Sequence, residues 1–145
     1  MKRSRAGAES MALRSYAMQQ TRTLLRRLAF QIHRAGRAAD AGAVHDLRVA
    51  IRRFAQCLRT FEAFYPHGQV RKIQRKLKTV MQTASHVRDR DITVELMRAA
   101  RIAKGSRAVA AVEKERKQAE RELVEAIRRT GKTNFSRKWR AKLGL

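Results

Sequence analysis

The chain holds one cysteine, one proline, seven glycines and few aromatic residues, 6% in all. The lone Cys57 excludes a disulfide framework and a cysteine-pair metal site. It reads as a small helical residue near the core edge and fits a cytoplasmic setting, the expected localisation. So little proline and glycine leaves scant material for turns or strand punctuation, and no alternating apolar pattern appears. No apolar run approaches the roughly 18 residues of a membrane span, so no membrane insertion is expected. The basic stretch Met1-Lys2-Arg3-Ser4-Arg5 is not followed by an apolar signal segment, because Arg14 and Gln19–Gln20 interrupt it. Negative charge is also scarce. Twelve acidic residues face 35 Lys and Arg, a formal net charge of +23 over 145 residues. Such an imbalance opposes compaction through self-repulsion and draws a protein to polyanions: nucleic acid, polyphosphate or an acidic membrane surface.

What is present is hydrophobicity in helical register. Apolar residues make up 43%, too many for a disordered basic tail, and the length suits one domain. The expected fold is all-α, an antiparallel bundle of about five to six helices. Residues 1–8 are expected to be a disordered basic N-terminus and 9–145 a single helical domain. A first helix, about Glu9 to Gly36, carries the stripe Leu13, Ala17, Leu24, Leu28, Ile32 and Ala35. Ala38–Gly42 links it to a second, about Ala43 to Phe64, with Asp40 available for capping. There Leu47, Ile51, Phe54, Leu58 and Phe61 define the core face. Pro66 and Gly68 end it. A third helix, about Val70 to Val87, buries Ile73, Leu77, Val80, Ala84 and Val87. A fourth is expected from Asp89–Asp91, whose carboxylates suit a helix N-terminus, to about Ala103. Lys104-Gly105-Ser106 breaks the pattern before a fifth helix, Ser106 to Thr130, with Val109, Val112, Ala119, Leu123 and Ile127 inward. After Gly131–Thr133, a short sixth uses Phe135, Trp139 and Leu143.

Charge is segregated along these elements. Basic and acidic residues number five each between Ser106 and Ile127, the mark of an ordinary solvated face. From Met1 to Arg90 they number 20 and five, so a polyanion surface belongs to the first three helices. On the second helix His45, Arg48, Arg52 and Arg59 project within roughly 60° of each other, with Gln56 beside them and Arg53 pointing away. On the third, Arg71, Arg75, Lys78, Gln82 and His86 recur at three- and four-residue intervals. Arginine forks and lysine ammonium groups hold phosphoryl oxygens, and two such rows facing each other form a basic channel. The plainer reading is two solvated faces of a very basic protein. Against it stands the near absence of carboxylates from both rows, since ordinary surface helices mix signs.

Val44-His45-x-Leu47-Arg48-Val49-x-Ile51-Arg52-Arg53 resembles the hallmark helix of the CHAD domain, the conserved histidine α-helical domain. Leu77-Lys78, followed by Val87-Arg88-Asp89-x-Asp91-Ile92, resembles that family's lysine-bearing helix and its Arg-Asp-x-Asp turn. The segment Lys114 to Leu143, with Trp139, is a looser likeness. The resemblance implies a helical bundle that binds inorganic polyphosphate in a basic channel without catalysis. Carried over, it makes His45, Arg48, Arg52 and Lys78 anion ligands, with Arg53 and Arg88 as further candidates. Arg59, Arg71 and Arg75 complete the two rows. Ala55, Gln82 and Ser85 depart from residues common in the family at those places. CHAD domains typically carry two helical halves, each with a histidine motif. One motif here implies half of the usual two-fold arrangement, and a homodimer is the expected partner state.

Other residues have quieter readings. His45 could be a plain surface histidine near a helix N-terminus. Arg88 with Asp89 could serve only to fix a turn. Arg116 interrupts the stripe Val112, Ala119, Leu123. A buried stem whose head reaches the channel or a carboxylate would explain it, and it joins the candidate ligands. His33, His67 and His86 lack a second ligand at metal spacing, so no metal site is expected. Nor is a cofactor or a catalytic residue: Asp89 and Asp91 are the one close aspartate pair, and they sit where capping needs them. The alternative is a nucleic-acid-binding or ribosome-associated basic protein, at least a nonspecific partner of nucleic acid, for which charge suffices. Phe54, Phe61 and Phe64 look committed to packing or a helix end, leaving no obvious stacking platform.

Overall fold

The computed structural model describes residues 2–131 and 134–145, with side chains from Ala6 onward. Five α-helices account for most of the described residues: α1 (Lys2–Arg37), α2 (Ala41–Thr60), α3 (Gln69–Ala99), α4 (Arg107–Thr130) and α5 (Phe135–Leu143). A 3-10 turn covers Glu62–Phe64, and no strand occurs among the described residues. Helix α2 packs between α1 and α3, α3 between α2 and α4, and α4 also reaches α1. Short links make the four long helices alternate in direction.

Local chemistry sets the starts. Asp40 caps α2, its carboxylate accepting the Ala43 N–H at 2.9 Å, and Ser106 caps α4, accepting from Val109 at 3.2 Å. Apolar residues at helical spacing then close the core, with Leu47, Ile51, Phe54 and Leu58 of α2 meeting Ile73, Leu77, Val80, Ala84 and Val87 of α3. The short α5 packs on α1 and α3 and carries Trp139 inside. Its ring stacks on Phe54 at 6.1 Å and meets Phe135 edge-on at 5.0 Å. Burying an indole this fully contributes about 3 kcal/mol or more, which explains why a nine-residue helix holds its place.

Several expected boundaries move. Helix α1 begins at Lys2, so the stretch read as a disordered basic terminus is helical from residue 2. The side chains described between Ala6 and Tyr16 are all exposed, and Ala17 is the first buried one. Leu13 is therefore outside the core, and Leu25 occupies it more fully than Leu24. The expected third and fourth helices are one. Nothing between Val87 and Ile92 breaks the ladder: neither glycine nor proline occurs there, and both aspartates sit inside the helix. Helix α3 ends at Ala99, before the expected break at Lys104–Ser106. Arg101 takes a left-handed conformation (φ 58°), and Ile102 N–H reaches back to the Met97 carbonyl. Gly131, with φ 118°, closes α4, while positions 132 and 133 of the expected break lie outside the described residues.

One polar cluster sits inside the core. The buried Thr21 hydroxyl donates to the Ala17 carbonyl at 2.8 Å and pairs with the Tyr65 hydroxyl, and Cys57 Sγ lies 3.4 Å from it. Burial raises the Tyr65 pKa above the ordinary tyrosine value, opposed by the hydrogen bond it shares with Thr21. A raised phenol pKa favours the folded state below the unfolded value, and that favour fades as pH climbs through the folded value. In Tyr65→Phe, Thr21 keeps its Ala17 acceptor, so the cost at neutral pH is about 1 kcal/mol. Urea unfolding should show this gap narrowing as pH rises past about 10. A gap that widens there would contradict the burial argument.

Candidate anion-binding strip on α2 and α3

The Arg48 Nε–H donates to Ser85 Oγ at 3.3 Å. Arg48 and Ser85 are each 18 residues from the Pro66–His67 turn, so this contact sets an antiparallel register for α2 and α3. Arg52 then lies level with Met81, Ala55 with Lys78, and Arg59 with Gln74. Ala55 and Met81 are half-buried against the core and floor the seam. At about 100° per residue, Arg59, Arg52 and His45 follow Arg48 within roughly 60°. On α3, Lys78 and Arg71 lie within about 40° of Ser85, whereas Arg75 turns about 80° away toward solvent.

The two helices thus bring together His45, Arg48, Arg52 and Arg59 with Lys78 and Arg71 along one edge. All are exposed except Arg48, which is half-buried. The expected channel is, in the single chain, a strip open to solvent. No ion pair among the described residues involves Arg48, Arg52, Arg59, Arg71 or Lys78. Cations aligned and left without carboxylates can attract an anion through several moderate contacts. The neutral Ser85 hydroxyl is a weak holder for Arg48, one that an oxyanion can replace.

A match to the CHAD domain family covers residues 14–145, nearly the whole chain. The chain belongs to the CHAD domain family. No curated protein and no solved structure matches it. No described helix of this CHAD domain is long and apolar enough to cross a membrane, and no three His, Cys, Asp or Glu among the described residues gather as a metal site.

Besides Arg75, two residues expected in the ligand set, Arg53 and Arg116, lie away from the strip in this CHAD domain, and Arg88 is engaged by a carboxylate. Arg53 projects to the α1 side of α2 and lines the α1–α2 groove. Arg88 stands level with His45 at the strip's end but shares its charge with Glu95 at 3.5 Å. The expected turn at Arg88–Asp91 does not exist. Arg116 is spent inside the fold: Nε–H donates to Asp91 at 2.7 Å, Nη1–H to Glu120 at 2.6 Å, and Nη2–H to the Ala39 carbonyl at 2.6 Å. Burial works against its charge, yet Asp91 and then Glu120 outweigh this and raise its pKa above the ordinary value. Of the two explanations open to a basic residue in an apolar stripe, the carboxylate is the one observed.

Arg116 therefore ties the α1–α2 link, α3 and α4 together, the role that the sequence reading did not give to the Arg-Asp-x-Asp segment. Its side chain is 20% exposed and that of Asp91 10%. Arg116→Ala would leave the Asp91 carboxylate nearly buried and unpaired, so a loss of about 3 kcal/mol is expected in urea unfolding. Arg121→Ala, on the exposed face of α4, should cost less than about 0.5 kcal/mol. Comparable losses for the two would refute the hub.

Proposed function

We propose that this protein binds inorganic polyphosphate, without catalysis, along the strip formed by α2 and α3. The observation that supports this reading best is the Arg48–Ser85 contact, because it sets the cations of α2 beside Lys78 and Arg71. His45 to Arg59 spans 14 residues, about 21 Å of helix at 1.5 Å per residue. A ligand able to use that length must carry charge along itself, as a phosphate chain does at every repeat. Arg48, Arg52 and Arg59 would hold phosphoryl oxygens as forks, Lys78 as a point charge, and His45 as a donor at one end. Family membership adds to this, since the resemblance links CHAD domains with polyphosphate. The cytoplasm is the compartment we propose.

Affinity from many exposed charge contacts falls with salt, as for other polyanions. Replacing Arg48 and Arg52 together by alanine should weaken long-chain polyphosphate binding by at least about tenfold at ~150 mM salt. Replacing Arg3 and Arg5 changes the net charge equally and should stay within about twofold. Equal losses from the two pairs would mean diffuse attraction and no site. In competition, polyphosphate should displace duplex DNA or RNA, and the reverse preference would overturn the assignment. Pairing of two copies, expected from the single histidine motif, is a separable part of the proposal. Sedimentation as a monomer at micromolar concentration, with binding intact, would remove it and leave the strip.

A further inference from the structure

A second concavity lies away from the strip, on the other flank of α2. The Arg34 guanidinium meets Asp46 at 2.7 Å, and these residues are each six from Asp40, which sets the register of α1 against α2. By that register Arg27 and Arg53, each 13 residues from Asp40, stand across from one another. Between the helices is a groove of about 390 Å³. Its floor is apolar, from Leu24, Val49 and Ala50, and its wall includes Phe30, an aromatic ring that is 64% exposed. Gln31 lines it too, and the Gln31 Oε1 is buried without a hydrogen-bond partner. Asp46, the carboxylate at the groove, is already held by Arg34.

We propose that this groove binds a phosphorylated nucleobase, as a free nucleotide or as one residue of a single-stranded nucleic acid. The phosphate sits between Arg27 and Arg53, and the base lies on Phe30. Two arginines facing each other over an apolar floor repel until an anion comes between them. A bare phosphate chain satisfies those charges but has nothing to place on an exposed ring. A base supplies a flat π-surface, and stacking on an aromatic side chain is the means by which single strands are held without sequence preference. An acidic peptide would satisfy the arginines as well, but the exposed Phe30 ring favours the base. This reading is independent of the polyphosphate strip, because Phe30 and Arg27 belong to α1 and Arg53 faces away from α3.

The test is fluorescence anisotropy of the full chain with a labelled short oligoadenylate. An abasic strand of the same length serves as comparison and polyphosphate as a second ligand. Wild-type protein should prefer the base-bearing strand. Phe30→Ala should weaken oligoadenylate binding about tenfold and remove that preference, with polyphosphate affinity within about twofold. Arg48→Ala/Arg52→Ala should do the opposite, keeping the preference while losing polyphosphate. Phe30 is exposed, so its truncation leaves the core untouched, and circular dichroism of the variant checks this. Displacement of the strand by adenosine monophosphate would identify a free nucleotide as ligand, and resistance to it a strand. Equal binding of the abasic strand, or an unchanged oligoadenylate affinity in Phe30→Ala, would overturn the proposal. In that case a failed groove leaves the strip standing, since the two are read by different variants.

Discussion

Burial of one apolar seam decides where the charges of this protein point. Leu47, Ile51, Phe54 and Leu58 of α2 must face Ile73, Leu77, Val80, Ala84 and Val87 of α3, because exposing either set would cost several kcal/mol. Once that contact is made, neither helix can rotate, and the azimuth of every other side chain on α2 follows. Arg48 falls beside Ser85, Arg52 and Arg59 follow it, and Arg53 is carried to the other flank. The cations are therefore positioned by hydrophobic packing and not by carboxylate partners of their own. This suits a binding surface, since a side chain already paired must be released before it can take a ligand.

The few carboxylates complete this division. Asp40 is taken by a helix cap, Asp46 by Arg34, Asp91 and Glu120 by Arg116, Glu95 by Arg88 and Glu115 by Arg90. On α4, Glu125 is gripped by Arg128 and then Arg129, which hold its pKa down to about 2. Most of the negative charge is thus spent on joints and on the solvated face of α4. The middle of α2, facing α3, receives none, so the excess of positive charge concentrates there.

Much of the helical architecture was legible in the sequence, because periodic apolar spacing and good caps are local signals. Ile73 to Val87 are buried as their spacing implies, and Asp40 and Ser106 cap as their residue types suggest. The exceptions have local causes too. Asp89 and Asp91 look like a helix start, but an aspartate tolerates a helix interior when the chain has no reason to stop and Arg116 awaits it from α4. That partner is 25 residues away, and pairing at such range leaves no trace in spacing. The same holds for the site. The row on α2 could be drawn on a helical wheel, whereas which flank each row faced depended on the packing of a second helix. Leu13 shows the limit most plainly, as a leucine that the spacing offers to the core is found at the surface.

The open strip has an energetic consequence for the empty protein. Like charges gathered along one seam repel one another in the folded state and are farther apart in an unfolded chain. Dissolved ions screen that repulsion over about 8 Å at ~0.15 M, so added electrolyte relieves the fold. The same ions compete with any polyanion for the same arginines. Ionic strength therefore pulls on this surface in two directions, steadying the bare bundle while loosening its hold on a charged thread.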